Sequence, residues 1–261
     1  DNRDVGKSTW IGKEPIYNKF LKFLPSFLLK LIVNSIFGLA VDEEGKFKFS
    51  KASKVPYDLS DMAKDAISLM DILNIEKAHI IGASMGGMIT QIIALDYPER
   101  VSSITPIMTT PGIQNKSLSG PTNELLEAMK KSFVFNLKGR EEDGVVEIYR
   151  QLTGSRFPFN DEEFRRKLKP VIAHGNNPFA LHGAAIGASP DRTSRLHEIK
   201  VSALIIHGTE DAILPLDHGI ALAEGIKDSK RMIMDGVGHE IPEELLPEIT
   251  KEIVENIKRV S

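Results

Sequence analysis

Residues 80–87 read Ile-Ile-Gly-Ala-Ser-Met-Gly-Gly, and this stretch decides the fold. The apolar run up to Gly82 predicts a short strand, and helical spacing follows at once from Met85. Gly82 and Gly86 flank Ser84 in a Gly-x-Ser-x-Gly arrangement, which is typical of a strand-to-helix turn too tight for side chains on either side. The stretch therefore predicts an α/β unit whose turn exposes a serine hydroxyl.

The predicted turn gives Ser84 a possible chemical role. Ser84 stands at a helix N-terminus, where the backbone N–H of Met85 and the positive end of the helix dipole can stabilise an oxyanion. A tight strand-helix turn without any chemistry is the alternative, because small residues around a serine are common. Residues further along the chain are needed to choose between the two.

Two later predicted strands each lead into a loop that carries a titratable residue. The apolar segment Val201–Ile206 runs into a loop with Asp211, and Arg231–Met234 runs into a glycine-rich loop with His239. A serine needs an imidazole to take its proton and a carboxylate to orient that imidazole, so Ser84, Asp211 and His239 are the candidate catalytic residues. Read alone, Asp211 could be a turn-forming residue and His239 a packed loop histidine. Glu210 is the alternative acid.

The chain resembles the α/β-hydrolases, which carry serine, acid and histidine in this order. The opening Asp1–Thr9 (Asp-Asn-Arg-Asp-Val-Gly-Lys-Ser-Thr) and the later Gly82–Gly87 resemble the branch of aclacinomycin methylesterase-like and related carboxylesterase-like enzymes. The resemblance implies an α/β-hydrolase fold with a mostly parallel sheet. It also favours Asp211 over Glu210, since the shorter acid matches the family pattern.

The same resemblance implies a sheet truncated on its N-terminal side. In the family, further strands and a glycine-bearing loop with a second oxyanion donor come before the segment that matches Asp1–Thr9. We therefore expect the strand before Ser84 to have an exposed edge, which a homodimer, a swapped element or a further N-terminal segment could cover. Met85 is the one oxyanion donor that can be assigned from the sequence.

The pattern divides the chain into a core, a cap and an insertion. Residues 1–108 and 201–261 alternate between strand and helix patterns and are expected to form the α/β-hydrolase core. Residues 109–200 have only helical spacing and are expected to form a cap over the site. Within the core, residues 13–55 are expected to be an additional apolar helical insertion. Its stretch 20–33 is interrupted by lysine and proline too often to span a membrane. Packing on the cap or at an oligomer contact is favoured over resting on lipid or guiding apolar substrates.

Composition excludes several classes of protein. The chain has 261 residues, of which 41% are hydrophobic and 26% charged, so it can bury a sizeable core. A net charge of −3 gives no reason to expect a nucleic-acid partner, and the lack of cysteine excludes thiol catalysis and disulfides. No transmembrane segment is expected, and with no signal peptide visible the expected location is cytoplasmic.

No cofactor and no metal are expected. The glycines near Ser84 have the wrong spacing for a dinucleotide fingerprint. Two histidines are interpreted as structural, namely His79 and His207. Four others have no spacing suited to zinc and are interpreted as surface or cap residues: His174, His182, His197 and His218.

The favoured hypothesis is a serine hydrolase of the carboxylesterase type, acting on small or medium carboxylic esters through an acyl-enzyme on Ser84. The same three residues could instead serve lactone, thioester or amide hydrolysis, or perhydrolysis, since one site geometry hosts many acyl chemistries. A weakly active hydrolase-like binding module is the alternative from a different class.

Overall fold

The computed structural model describes residues 1–11, 21, 23–48, 55–175 and 179–259. Within these residues the sheet has four strands, all parallel and ordered along the sheet as they are in the chain. They are β1 Ala78–Ala83, β2 Val101–Ile107, β3 Ser202–Gly208 and β4 Lys230–Met234. The mostly parallel sheet expected from the sequence is confirmed.

Four helices belong to the same region as the sheet: α2 Leu59–Ile72, α3 Met85–Asp96, α8 Leu216–Gly225 and α9 Leu246–Lys258. Strand β3 is covered on both of its faces. Its Ile205 belongs to the core cluster that includes helix α3, whereas the neighbouring Ile206 belongs to the cluster that includes helix α9. In parallel sheets of this kind, the turns at the carboxyl ends of the strands commonly carry function.

Strand β1 lies at one edge of this sheet. Among the described residues no strand pairs with its outer side. Ile81 on β1 is half exposed. This edge strand therefore combines unpaired backbone with an exposed apolar side chain.

Residues 109–200 hold helices and, where they are described, no strand. The helices are α4 Asn123–Leu137, α5 Glu141–Leu152, α6 Asp161–His174 and α7 Phe179–Ala188. Thr122 caps α4 and Asn160 caps α6, each through a side-chain oxygen that accepts the backbone N–H of the third helical residue. The helical character expected for this segment agrees with the structure, while its role as a cap stays a prediction.

Helix α1, Ser26–Ala40, corresponds to the apolar insertion, although 12–20, 22 and 49–54 lie outside the described residues. The helix begins after Pro25, which has no N–H and stands before the first turn, and it continues to Ala40. Leu29 and Val33 are buried, and the helix packs on α4. No described helix is both long enough and apolar enough to cross a bilayer.

Candidate active site

Ser84 lies in a strained turn between β1 and α3. Its φ of 52° and ψ of −119° place a non-glycine residue in a region that L side chains rarely adopt. Hydrogen bonds hold it there: its N–H donates to Ile107 O at 2.9 Å, and its carbonyl accepts from Thr109 Oγ1 at 2.7 Å. The carbonyl also accepts from the Gly87 N–H at 2.9 Å. Backbone strain fixed by surrounding bonds is typical of a functional residue.

The two glycines that flank Ser84 have different steric surroundings. A Cβ on Gly82 would lie 2.2 Å from Gly86 O, so the close approach of strand and helix requires glycine there. A Cβ on Gly86 would meet no atom within 4 Å. The interpretation that both positions are too tight for a side chain is therefore right for Gly82 and wrong for Gly86, where a side chain would point into open space.

The structure brings Ser84, His239 and Asp211 into one chain of hydrogen bonds. His239 Nε2 lies 3.0 Å from Ser84 Oγ, and His239 Nδ1 lies 2.7 Å from Asp211 Oδ2. An ionised carboxylate only accepts, so Nδ1 carries the ring proton and Nε2 is left to accept from the serine hydroxyl. The arrangement can take a proton from Ser84 and stabilise the resulting imidazolium.

Asp211 is fixed by its own loop as well as by His239. Its Oδ1 accepts the N–H groups of Ile213 at 3.0 Å and Leu214 at 2.8 Å, and its side chain is fully buried. Because one oxygen is committed to the loop, the other is aimed at the imidazole. The turn contacts that the sequence left open and a contact with the imidazole are thus both present in one residue.

His207 is a second imidazole beside Asp211. Its Nε2 donates to Leu214 O at 2.7 Å and lies 3.4 Å from Asp211 Oδ2. Burial lowers the pKa of His207, which favours the neutral ring. Gly219 closes over that ring, since a Cβ there would be 2.7 Å from the ring carbon Cγ. The ring is packed behind the acid, in agreement with the structural role expected from the sequence.

Glu210, the alternative acid, points elsewhere. Its carboxylate accepts the N–H and the hydroxyl of Ser155, both at 2.7 Å. These bonds hold the pKa of Glu210 below its usual value. The oxygen within hydrogen-bond distance of the His239 ring belongs to Asp211.

His218 was expected at the surface or in the cap, and that expectation was wrong. It lies on α8, only 3% exposed, where Nε2 donates to Ser119 O at 2.9 Å and Nδ1 accepts from Thr110 Oγ1 at 2.8 Å. Burial lowers its pKa. Arg192 joins this network by donating to Thr110 O at 3.3 Å and also donates to Gln91 Oε1 at 3.2 Å. Burial lowers the pKa of Arg192 to about 10. Sequence spacing carries no signal for such a network, because its members are far apart in the chain.

The other histidines make local contacts. His79 shares a hydrogen bond with Ser103 on β2, and His197 is exposed in a short 3₁₀ helix. His182 on α7 bonds to Arg3 O, and His174 pairs with Asp1. Among the residues that the structure describes, no group of three or more metal-ligating side chains comes together.

The comparisons with known proteins identify the family. Residues 46–244 match the family described as the alpha/beta hydrolase fold, so the chain belongs to that family and the expected fold class is confirmed. It is 28% identical over 209 residues to rhodomycin D methylesterase DauP of Streptomyces sp. (strain C5), covering 72% of this chain and 69% of that protein. It is 30% identical over 188 residues to a 2-hydroxy-6-oxononadienedioate/2-hydroxy-6-oxononatrienedioate hydrolase of Pseudomonas putida, covering 66% of this chain and 59% of that one.

Solved structures show the same fold. An esterase from Thermogutta terrifontis aligns with a TM-score of 0.60 at 21% identity, over 85% of this chain and 77% of that one. A meta-cleavage product hydrolase from Pseudomonas fluorescens aligns with a TM-score of 0.58 at 21% identity, over 82% and 77%. The matched region spans roughly three fifths to two thirds of the length of the curated relatives named above.

Proposed function

We propose that the chain is a serine hydrolase of the carboxylesterase type, with Ser84 as nucleophile, His239 as base and Asp211 as the acid that orients it. The observation that carries the proposal is the continuous line of hydrogen bonds from Ser84 Oγ through His239 to Asp211. The strained φ of Ser84 and the methylesterase among the relatives support it.

The proposed reaction has two halves. His239 Nε2 takes the Ser84 proton as Oγ attacks the ester carbonyl, and the same nitrogen then protonates the departing alcohol. Water, deprotonated by His239, releases the acid from the acyl-enzyme. Asp211 stays ionised throughout. The N–H of Met85, at the first helical position, has no acceptor within its own helix and is the proposed oxyanion donor.

The substrate we propose is a small or medium carboxylic ester. Turnover of p-nitrophenyl esters from acetate to decanoate, compared with Ser84→Ala, tests both the reaction and the size range. We expect the rate of Ser84→Ala to fall to the background rate. We expect kcat/KM of the wild type to fall at low pH, where the base becomes protonated. Equal rates for the two proteins, or a flat profile between about pH 5 and 9, would contradict the proposal.

A second candidate is hydrolysis of a 2-hydroxy-6-oxodienoate. It is favoured by the Pseudomonas putida relative, which carries that name and 30% identity. The test is to incubate the wild-type chain with such a dienoate and follow its absorbance. A fall in that absorbance, with simple esters left intact, would favour this candidate over an esterase.

We also propose that two copies associate through the open edge of β1. Support comes from the unpaired edge of this strand and from Ile81 on it, whose side chain is half exposed. Light scattering after size exclusion tests this: a dimer that Ile81→Lys converts to a monomer is expected, and a monomer at all concentrations would contradict it.

A further inference from the structure

A segment of residues 152–156, here called the strap, lies directly on the loop that carries His239. It leaves the end of helix α5, which belongs to the cap region of the chain. The His239 N–H donates to Leu152 O at 2.7 Å, and the Arg156 N–H donates to Gly236 O at 2.8 Å. The strap is therefore hydrogen-bonded to the backbone of His239, the residue whose side chain faces Ser84.

The strap is also attached to the loop that carries Asp211. Both donors of Ser155, its N–H and its hydroxyl, bond to the carboxylate of Glu210 at 2.7 Å. Glu210 directly precedes Asp211, and its own N–H donates to Val237 O at 2.9 Å. One short segment of the cap region thus holds both loops that supply the base and the acid. Charge-assisted bonds of this kind are among the stronger hydrogen bonds in proteins.

Steric contacts show how closely the strap and the histidine loop approach. A Cβ on Gly154 would lie 2.2 Å from Gly236 O and 2.5 Å from Gly238 N. On the opposite side, a Cβ on Gly238 would lie 2.0 Å from Leu152 O. These contacts are with backbone, which cannot rotate away as a side chain can. Neither position has room for any residue but glycine unless the two segments separate.

We propose that the strap is a positioning element, which sets the place of His239 relative to Ser84 and Asp211 through the backbone bonds of Leu152 and Arg156 and the Ser155–Glu210 contact. This inference rests on the proposed function. It assigns to Glu210, Gly154 and Ser155 a role in the reaction through His239, without contact with the substrate. It also means that a displacement of the cap at Leu152 moves the base.

The variant Gly154→Ala tests the proposal, because its methyl group forces the strap away from the histidine loop. The control is Gly38→Ala on α1, where a Cβ meets no atom within 4 Å. A displacement of about 1 Å at a catalytic group can cost about 10²-fold in rate, so we expect Gly154→Ala to lower kcat for p-nitrophenyl butyrate by about that factor. Gly38→Ala should keep the wild-type rate.

A second readout does not depend on turnover. The proton between His239 Nδ1 and Asp211 gives a strongly deshielded NMR signal, assigned by its loss in His239→Gln. We expect Gly154→Ala to shift or abolish this signal and Gly38→Ala to leave it in place. If the wild type cleaves no ester but the signal responds in this way, the esterase proposal fails and the strap proposal stands. A folded Gly154→Ala protein with wild-type kcat and an unchanged signal overturns the strap proposal.

The contact between Ser155 and Glu210 gives a milder test if Gly154→Ala does not fold. Glu210→Ala removes both bonds, and we expect a loss of roughly tenfold in kcat, the size of effect that a charged hydrogen bond can have. Adding Ser155→Ala should cause no further loss, since both changes break the same contact. Wild-type kcat and an unchanged NMR signal in Glu210→Ala would overturn the proposal.

Discussion

Replacing Asp211 by Asn tests the assignment of the acid. The amide oxygen of Asn can take the place of Oδ1, which accepts the N–H groups of Ile213 and Leu214, so the loop is expected to keep its shape. The amide nitrogen then faces His239 Nδ1 in place of Oδ2, 2.7 Å away. Because that nitrogen donates, Nδ1 has to accept and the ring proton moves to Nε2.

With its proton on Nε2, His239 faces the Ser84 hydroxyl, 3.0 Å away, as a donor and cannot take its proton. Loss of the correct tautomer costs about 10⁴-fold in kcat in serine hydrolases with this arrangement, or about 5 kcal/mol of transition-state stabilisation. The assay is kcat for p-nitrophenyl butyrate at pH 8, with circular dichroism to verify that the variant is folded. We expect the loss to appear in kcat, with little change in KM.

The matched control for Asp211→Asn is Glu210→Gln, which makes the same chemical change one residue earlier. We expect it to lose at most about tenfold, because it weakens only the contact with Ser155. Asp211→Asn within tenfold of wild type, with a larger loss in Glu210→Gln, would refute the assignment of Asp211 and identify Glu210 as the acid.

Further predictions concern stability. Gly82→Ala should lower the free energy of unfolding by about 1–3 kcal/mol, because its Cβ would lie 2.2 Å from Gly86 O, whereas Gly86→Ala should not lower it; equal midpoints in urea would contradict this. Burial raises the pKa of Glu240, so the folded state favours the protonated acid and loses stability as pH rises through that raised pKa. Glu240→Gln should therefore unfold at higher urea than wild type at pH 7, with the difference shrinking below pH 4.5, the ordinary value. Burial lowers the pKa of His218, so as pH falls below its ordinary 6.5 the unfolded chain binds the proton first and stability declines. His218→Gln should flatten that decline in urea melts from pH 7.5 to 5, and an unchanged slope would contradict it.

The sequence predicted the parts of the site that obey local rules. Ser84 could be placed because a Gly-x-Ser-x-Gly turn between a strand and a helix has a steric signature, and Asp211 and His239 follow strands whose apolar pattern is clear. Strand ends of a parallel sheet meet at one edge, so their convergence was predictable as well. The choice between Asp211 and Glu210 depended on the family pattern, since adjacent acids on one loop differ only in where each side chain points.

Other features depend on contacts that spacing does not reveal. His218 was misplaced because a histidine on an amphipathic helix can face either way, and the bond to Thr110 that keeps it inside joins residues 108 positions apart. Gly154 lies two residues after the end of α5, and its missing side chain admits the backbone of the histidine loop. Three glycines in two loops, Gly154 in one and Gly236 and Gly238 in the other, were the available signal of that approach.

The most direct measurement is the mass of the protein after reaction with a fluorophosphonate, followed by peptide mapping. The proposed arrangement predicts one adduct per chain, located on Ser84, formed by the wild type and absent from His239→Ala. An unlabelled wild type, an adduct on another residue, or equal labelling of His239→Ala would contradict the claim that His239 activates Ser84.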